Sequence, residues 1–272
     1  MYVYLCEDSI EGIFTGVYDA WASGYGHRNI RLRLNALDTY ELFCEYINVQ
    51  PDENKSRMVG RTLCRHFGQQ VYQDICQAIL SQDIRLSSRK LPDKADCVYR
   101  TILYGFAMPD CDCHRLMQAL GVPYIARLFE LSRATFYESH HLLGFLRFRE
   151  LENGVLFAQV HPKNDVLAVL AEHFSDRLPS EHFMIYDGSR RIAAVHKKGS
   201  GYLIVDASDL NQDIIHRLSP EELEYRRLWC SFFESIAIEA RRNPKLQSQN
   251  IPKRFWKDTV EFQEQFLCPS TP

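Results

Sequence analysis

Gly144-Phe145-Leu146-Arg147-Phe148-Arg149-Glu150-Leu151, then Glu152-Asn153-Gly154, then Val155-Leu156-Phe157-Ala158-Gln159-Val160, is the stretch on which the reading of the fold turns. Upstream of it, apolar residues recur at three- and four-residue spacing. Here that period is lost, and Gly144 to Leu151 and Val155 to Val160 read as two strands. Asn-Gly between two such runs signals a tight hairpin, because both residues tolerate positive φ. Alternation along the first strand sets Arg147 on the face of Phe145 and Arg149, opposite Leu146 and Phe148.

Downstream, Asp165 to His173 reads as a helix capped by Asn164. His182 to Asp187 and Arg190 to His196 read as strands about Gly188-Ser189, and Tyr202 to Asp206 as a last strand. The expectation is an antiparallel sheet of about five strands with a helix laid on it. Ser219-Pro220-Glu221-Glu222 then combines an N-cap serine, a proline at the first helical position and a glutamate at the third. Leu228, Phe232 and Ile236, with Trp229, Phe233 and Ala237 alongside, form the apolar face of the helix it opens, and Asn243-Pro244 ends it. A short helix from Pro252 carries Phe255, Trp256, Val260 and Phe262.

Upstream, Tyr2 to Cys6 is strand-like, and a helix with Ile13, Val17 and Trp21 runs to Gly24-Tyr25-Gly26. Residues 36–50 hold a short element whose type the pattern does not decide. Lys55 to Ser81 is helical, with Val71, Ile75 and Ile79 on one stripe; further helices span Asp96 to Phe106, Cys113 to Leu120 and Tyr124 to about Leu142. The fold class is therefore α+β: a mostly helical N-terminal half with a single leading strand, an antiparallel sheet packed with helices, and closing C-terminal helices. The domains expected are 1–80, a strand plus helices, and 81–272, carrying the sheet and the basic C-terminal helices, or one continuous unit.

A chain of 272 residues, 46% hydrophobic and 25% charged, can bury a sizeable core. Its net charge of −3 excludes a bulk polycation but not a local basic patch. No leader or membrane-spanning run is evident, which reads as cytoplasmic. Nine scattered cysteines suit reduced thiols. Cys111-Asp112-Cys113-His114 invites a metal, but no Cys-x-x-Cys pair exists, so neither a metal nor a cofactor is expected. Phosphate-binding glycine loops, nucleophile elbows and zinc-deaminase signatures are absent too.

Residues 240–257 hold Arg241, Arg242, Lys245, Lys253, Arg254 and Lys257, six cations in eighteen residues without one acid. With Asn243 for hydrogen bonding and Phe255 and Trp256 for stacking, they suit a phosphate backbone with unstacked bases. A solvated helix end is the plainer alternative. A second acid-free run, Arg190 to Lys198, extends the same surface or merely protects a sheet edge. Arg147 is a phosphate contact or the structural partner of a buried carboxylate such as Glu138 or Asp187, and Arg177 joins the same polar set. His140, His173 and Asp187 form the one candidate acid–base set, histidine oriented by carboxylate being the usual proton-transfer arrangement. Satisfied core or helix-end histidines are the alternative.

These segments together resemble a bacterial family of DNA-repair or DNA-metabolism proteins. The resemblance is carried by Glu7-Asp8-Ser9-Ile10-Glu11-Gly12, Val17-Tyr18-Asp19-Ala20, Glu138, His140, Gly144 to Phe148, Pro162, His173-Phe174, Arg177, Ile185, Asp187 and Arg190. It continues through Trp229, Ser235 to Ile238, Arg241, Asn243-Pro244, Gln247 and Pro252 to Lys257, and so covers nearly the whole chain. Phe183 stands where tryptophan is common, and His141 where a basic residue is usual. Members of that family are encoded beside a radical-SAM protein linked to DNA, and a domain similar to the chain from about residue 80 onward is also found fused to uracil-DNA-glycosylase-like proteins. The resemblance implies a DNA-binding accessory protein with DNA and a radical-SAM protein as partners, and assigns no catalytic residue. The alternatives are a hydrolase or glycosylase-like enzyme on damaged DNA using the His/Asp set, and a protein–protein scaffold.

Overall fold

The computed structural model describes residues 1–35, 41–82, 93–109 and 112–262. The chain divides into two compact units, Met1–Tyr137 and Glu138–Pro272. Together they hold a mixture of helices and two sheets.

The first unit opens with β1 (Tyr2–Cys6) and α1 (Ile10–Ala22), the β-then-α start expected. Ser9 is the N-cap, its hydroxyl accepting from the Gly12 amide at 3.0 Å. The leading strand is not alone: β2 (Ile30–Leu34) and β3 (Glu45–Asn48) flank it in a parallel sheet ordered β2-β1-β3. Parallel sheets are covered on both faces, and β1, the central strand, is buried almost throughout. Residues 36–40 of the undecided 36–50 segment lie outside the described residues.

The expected helix over Lys55 to Ser81 is two, α2 (Glu53–Phe67) and α3 (Gln69–Leu80), broken at Gly68, whose φ of 88° favours glycine. Then come α4 (Lys94–Ala107), a 3-10 turn at Cys113–Gln118 and α5 (Pro123–Phe145), whose last residues from Glu138 belong to the second unit. Lys94 is buried, its ammonium held by the carbonyls of Ile79 and Ser81 and by Asp8 at 2.5 Å.

Burial in this unit pushes the Cys6 thiol up to about 12, the Asp93 and Asp19 carboxylates adding to the effect. It likewise pushes Cys76 up to about 11 and Tyr99 up to about 12. The unfolded chain releases these protons nearer pH 9 to 10. The stability they contribute is therefore complete below pH 9 and is lost as pH rises toward 12. Calorimetry is expected to show the first unit's melting temperature falling between pH 9 and 11.

In the second unit, helix α5 runs on to Phe145 where a strand was expected from Gly144, so the first strand is only β4 (Arg149–Glu150) and Arg147 precedes it. The hairpin to β5 (Leu156–Val160) does form, antiparallel, with Arg149 opposite Phe157 and Gly154 at φ 77°. Then α6 (Leu167–Arg177) leads to β6 (Phe183–Asp187), followed by β7 (Ile192–His196) and β8 (Tyr202–Asp206).

The sheet order is β4-β5-β6-β7-β8, but β5 and β6 run parallel, which corrects the antiparallel expectation. The segment between them contains a whole helix, long enough to return the chain to the starting edge, as parallel pairing requires. Nor does Asn164 cap α6: the N-cap is Val166, and Asn164 is itself buried. One sheet face packs Ala158, Val160, Phe183 and Ile185 against Leu167, Leu170 and Phe174 of α6, with Phe255 completing that core. The other carries Phe157, Tyr186 and Ala193 against Ala207 and Ile215.

The closing helices are α7 (Gln212–Ile215), α8 (Pro220–Ser235) and α9 (Pro244–Asn250), with 3-10 turns at Glu239–Arg241, Lys253–Asp258 and Val260–Phe262. Among the described residues no helix is long and apolar enough to cross a membrane.

Candidate functional site

At the start of α8, the Ser219 hydroxyl accepts from the Glu222 amide, as its sequence promises. The Glu222 carboxylate does not return the bond to Ser219. One oxygen accepts from the Glu150 amide of β4 at 3.1 Å and the other from Arg226 Nε at 2.6 Å. Ser219 in turn donates its amide to the Glu150 carbonyl. The cap thus staples α8 to the edge strand, and the helix face beyond it borders a cleft.

That cleft holds about 670 Å³ and is lined by Arg147, Arg226, Tyr225, Trp229, Phe232 and Val260 among others. Leu228, Phe232 and Ile236, the expected apolar face of the helix, are 57%, 53% and 57% exposed. Aromatic rings at a cleft beside arginines are the side chains that stacking on bases and pairing with phosphates require.

Arg149 follows Arg147 and Phe148, and its guanidinium lies over the Phe157 ring at 4.8 Å. Its Nε and Nη2 are buried and have no hydrogen-bond partner among the described residues. Burial, reinforced by the Arg226 guanidinium, pulls its pKa below the ordinary arginine value, the Glu222 and Asp258 carboxylates acting weakly the other way. Guanidinium stays charged at any physiological pH, so the fold holds a cation whose charge and donors are only partly answered. Each buried donor left unmatched costs about 1–3 kcal/mol.

A second polar cluster surrounds the loop after β5. Glu138, 3% exposed, accepts from the amides of Lys163 at 3.1 Å and Asn164 at 2.7 Å and pairs with Arg254 at 2.9 Å. Asp187, fully buried, accepts from the amides of Ser189 and Arg190 and pairs with the Arg190 guanidinium at 3.0 Å. Arg190 also donates to the carbonyls of Pro162 and Lys163. His161, in the same loop, points Nδ1 at the Asp258 carboxylate, 3.0 Å away.

The other expected residues are placed as follows. His140 and His173 are exposed, on α5 and α6, the latter ring edge-on to Phe174. Arg177 is exposed in the last turn of α6. Arg147 lines the cleft and donates to the Gly144 carbonyl at 3.0 Å. Arg241 and Lys245 are exposed, while Asn243 caps α9 by accepting from the Leu246 amide. Lys253 lies over Trp256, whose indole stacks on Phe262 and donates to the Ile251 carbonyl. Phe255 is in the core, and the side chain of Lys257 lies outside the described residues.

The carboxylates Glu138 and Asp187 thus bind Arg254 and Arg190, not Arg147. Cys113 and His114 engage the carbonyls of His66 and Phe67, and Cys111 lies outside the described residues. Among the described residues no group of three His, Cys, Asp or Glu side chains is arranged to hold a metal ion.

Arg149, Arg226, His161 and Asp258 were not singled out by their sequence. Asp258 is nevertheless the first acid after the acid-free basic run, and His161 directly follows a strand. No curated protein matches the sequence. Residues 92–261, more than half of the chain and inclusive of every residue of the cleft and of the loop cluster, match the family model of DUF4130, a domain of unknown function.

Proposed function

From the premise that the chain belongs to the DUF4130 family, we propose that it binds nucleic acid through the α8 cleft, as an accessory protein of DNA repair or metabolism. The observation that carries this reading is the cleft that sets Arg147 among the exposed rings of Tyr225, Trp229 and Phe232, with the half-buried cation Arg149 two residues further along the chain. The Arg226 charge is answered by Glu222 at 2.6 Å, while Arg147 supplies positive charge at the cleft. Exposed Arg241 and Lys245 extend it along the C-terminal segment. Tyr225, Trp229 and Phe232 suit unstacked bases, which favours single strands over duplex. DNA as the polymer, and a radical-SAM protein as co-worker, are supported by the sequence resemblance alone.

Anisotropy titrations with single-stranded and duplex oligonucleotides across a salt series test the reading. Affinity is expected to fall as salt rises, by a log–log slope of about 0.7 per phosphate contacted on a single strand. Arg149→Ala is expected to weaken binding about tenfold and to shorten that slope by one contact. No binding at low salt would end the proposal.

The exposed Leu203, Ile204 and Val205 of edge strand β8 favour a second reading, a protein-docking scaffold. Retention of the radical-SAM protein by a chain with no oligonucleotide affinity is the result that would prefer it.

A further inference from the structure

His161 follows the last residue of β5 and Gly188 follows the last residue of β6. These strands are parallel, with Val160 opposite Asp187, so both loops leave the sheet at one edge. In open sheets the carboxyl ends of parallel strands are where ligands are bound.

His161 Nδ1 lies 3.1 and 3.0 Å from the two carboxylate oxygens of Asp258. A carboxylate on Nδ1 fixes the tautomer with the proton there and leaves Nε2 as the basic nitrogen. The side chain of Gln159 is 3.4 Å from Nε2. A β-carbon on residue 188 would stand 2.6 Å from Nε2, so glycine is what leaves that space clear. The imidazole is a quarter exposed and Asp258 is 13% exposed, so the ring reaches solvent while the carboxylate that orients it is largely covered. Arg149 feels the Asp258 charge, which sets the cation and the histidine pair in one electrostatic neighbourhood.

We propose that His161 and Asp258 are a general-base pair that hydrolyses a phosphodiester bond in nucleic acid, an activity that rests on the nucleic-acid reading of the neighbouring cleft. Nε2 takes a proton from a water molecule as the water oxygen bonds to phosphorus. The bond from phosphorus to the departing sugar oxygen breaks on the opposite side, that oxygen takes a proton from solvent water, and Nε2 gives its proton back to solvent. Water is the only co-reactant and no electrons are transferred. Asp258 orients the ring and stabilises the imidazolium formed in passing.

The test incubates the wild-type chain, His161→Gln, Asp258→Asn and Arg149→Ala with end-labelled single-stranded and duplex oligonucleotides, with and without Mg²⁺, while anisotropy reads binding. Wild type is expected to give shortened fragments. His161→Gln is expected to be at least about 100-fold slower, and Asp258→Asn slower by a smaller factor. Both are expected to bind as wild type does and to keep its melting temperature. Arg149→Ala is expected to weaken binding about tenfold and to slow cleavage with it. Binding without cleavage by wild type, or undiminished cleavage by His161→Gln, overturns the catalytic pair and leaves the binding reading standing. Absence of binding removes both.

Discussion

Asp187→Ala is expected to destabilise the second unit by about 3–5 kcal/mol, the usual result of removing one partner of a buried ion pair. The carboxylate has no exposure, accepts two backbone amides of the turn between β6 and β7, and holds Arg190 at 3.0 Å. Arg190 in turn ties down the carbonyls of Pro162 and Lys163. Asp187→Asn keeps an acceptor for the amides and loses only the charge, so about half that cost is expected. Urea titrations followed by tryptophan fluorescence decide this, because Trp229 and Trp256 lie in the second unit and Trp21→Phe silences the first. Equal stability of wild type and Asp187→Ala would mean that the buried pair contributes nothing net. The distinction bears on function: a carboxylate engaged in this way is a turn-former, and catalytic interest moves to Asp258.

Gly16→Ala is the second large effect expected, a loss of about 3 kcal/mol in the first unit. Glycine within a helix ordinarily costs about 1 kcal/mol against alanine, so a substitution on an open surface would stabilise. Here a β-carbon would stand 2.3 Å from Cys6 Sγ and 3.4 Å from Leu32 Cδ2, forcing α1 away from the sheet, and overpacking of this kind reverses the sign. Cys6→Ala removes the obstructing sulfur. The double variant is therefore expected to recover most of the loss, a coupling that a double-mutant cycle reads directly. Additive effects of the two changes would contradict the steric account.

What the sequence made legible was local. Ser219 caps the helix its spacing announces, and Asn153-Gly154 makes its hairpin, because each signal and its partner lie within four residues. The parallel pairing of β5 with β6 has no such signature, since strand direction is decided by where α6 packs. Ile30-Arg31-Leu32-Arg33-Leu34 alternates cleanly, yet five residues with two arginines make a weak signal until β1 supplies a partner. The apolar stripe of α8 is legible in the sequence and its exposure is not, because periodicity reports which residues share a face and not whether anything covers it. Arginines 147, 190 and 254 could not be told apart by composition. The fold sorts them by which one meets a buried carboxylate, and it leaves Arg149, unremarkable in the sequence, with two buried donors unmatched among the described residues.

The contact between His161 and Asp258 joins residues 97 positions apart. Closing so long a loop is slow and entropically unfavourable until the intervening sheet and helices exist. A nascent or truncated chain ending before Asp258 has the histidine but not its orienting carboxylate. Completion of the pair is therefore a late event in folding, and any proton-transfer competence it confers is withheld until the last segment of the unit has docked.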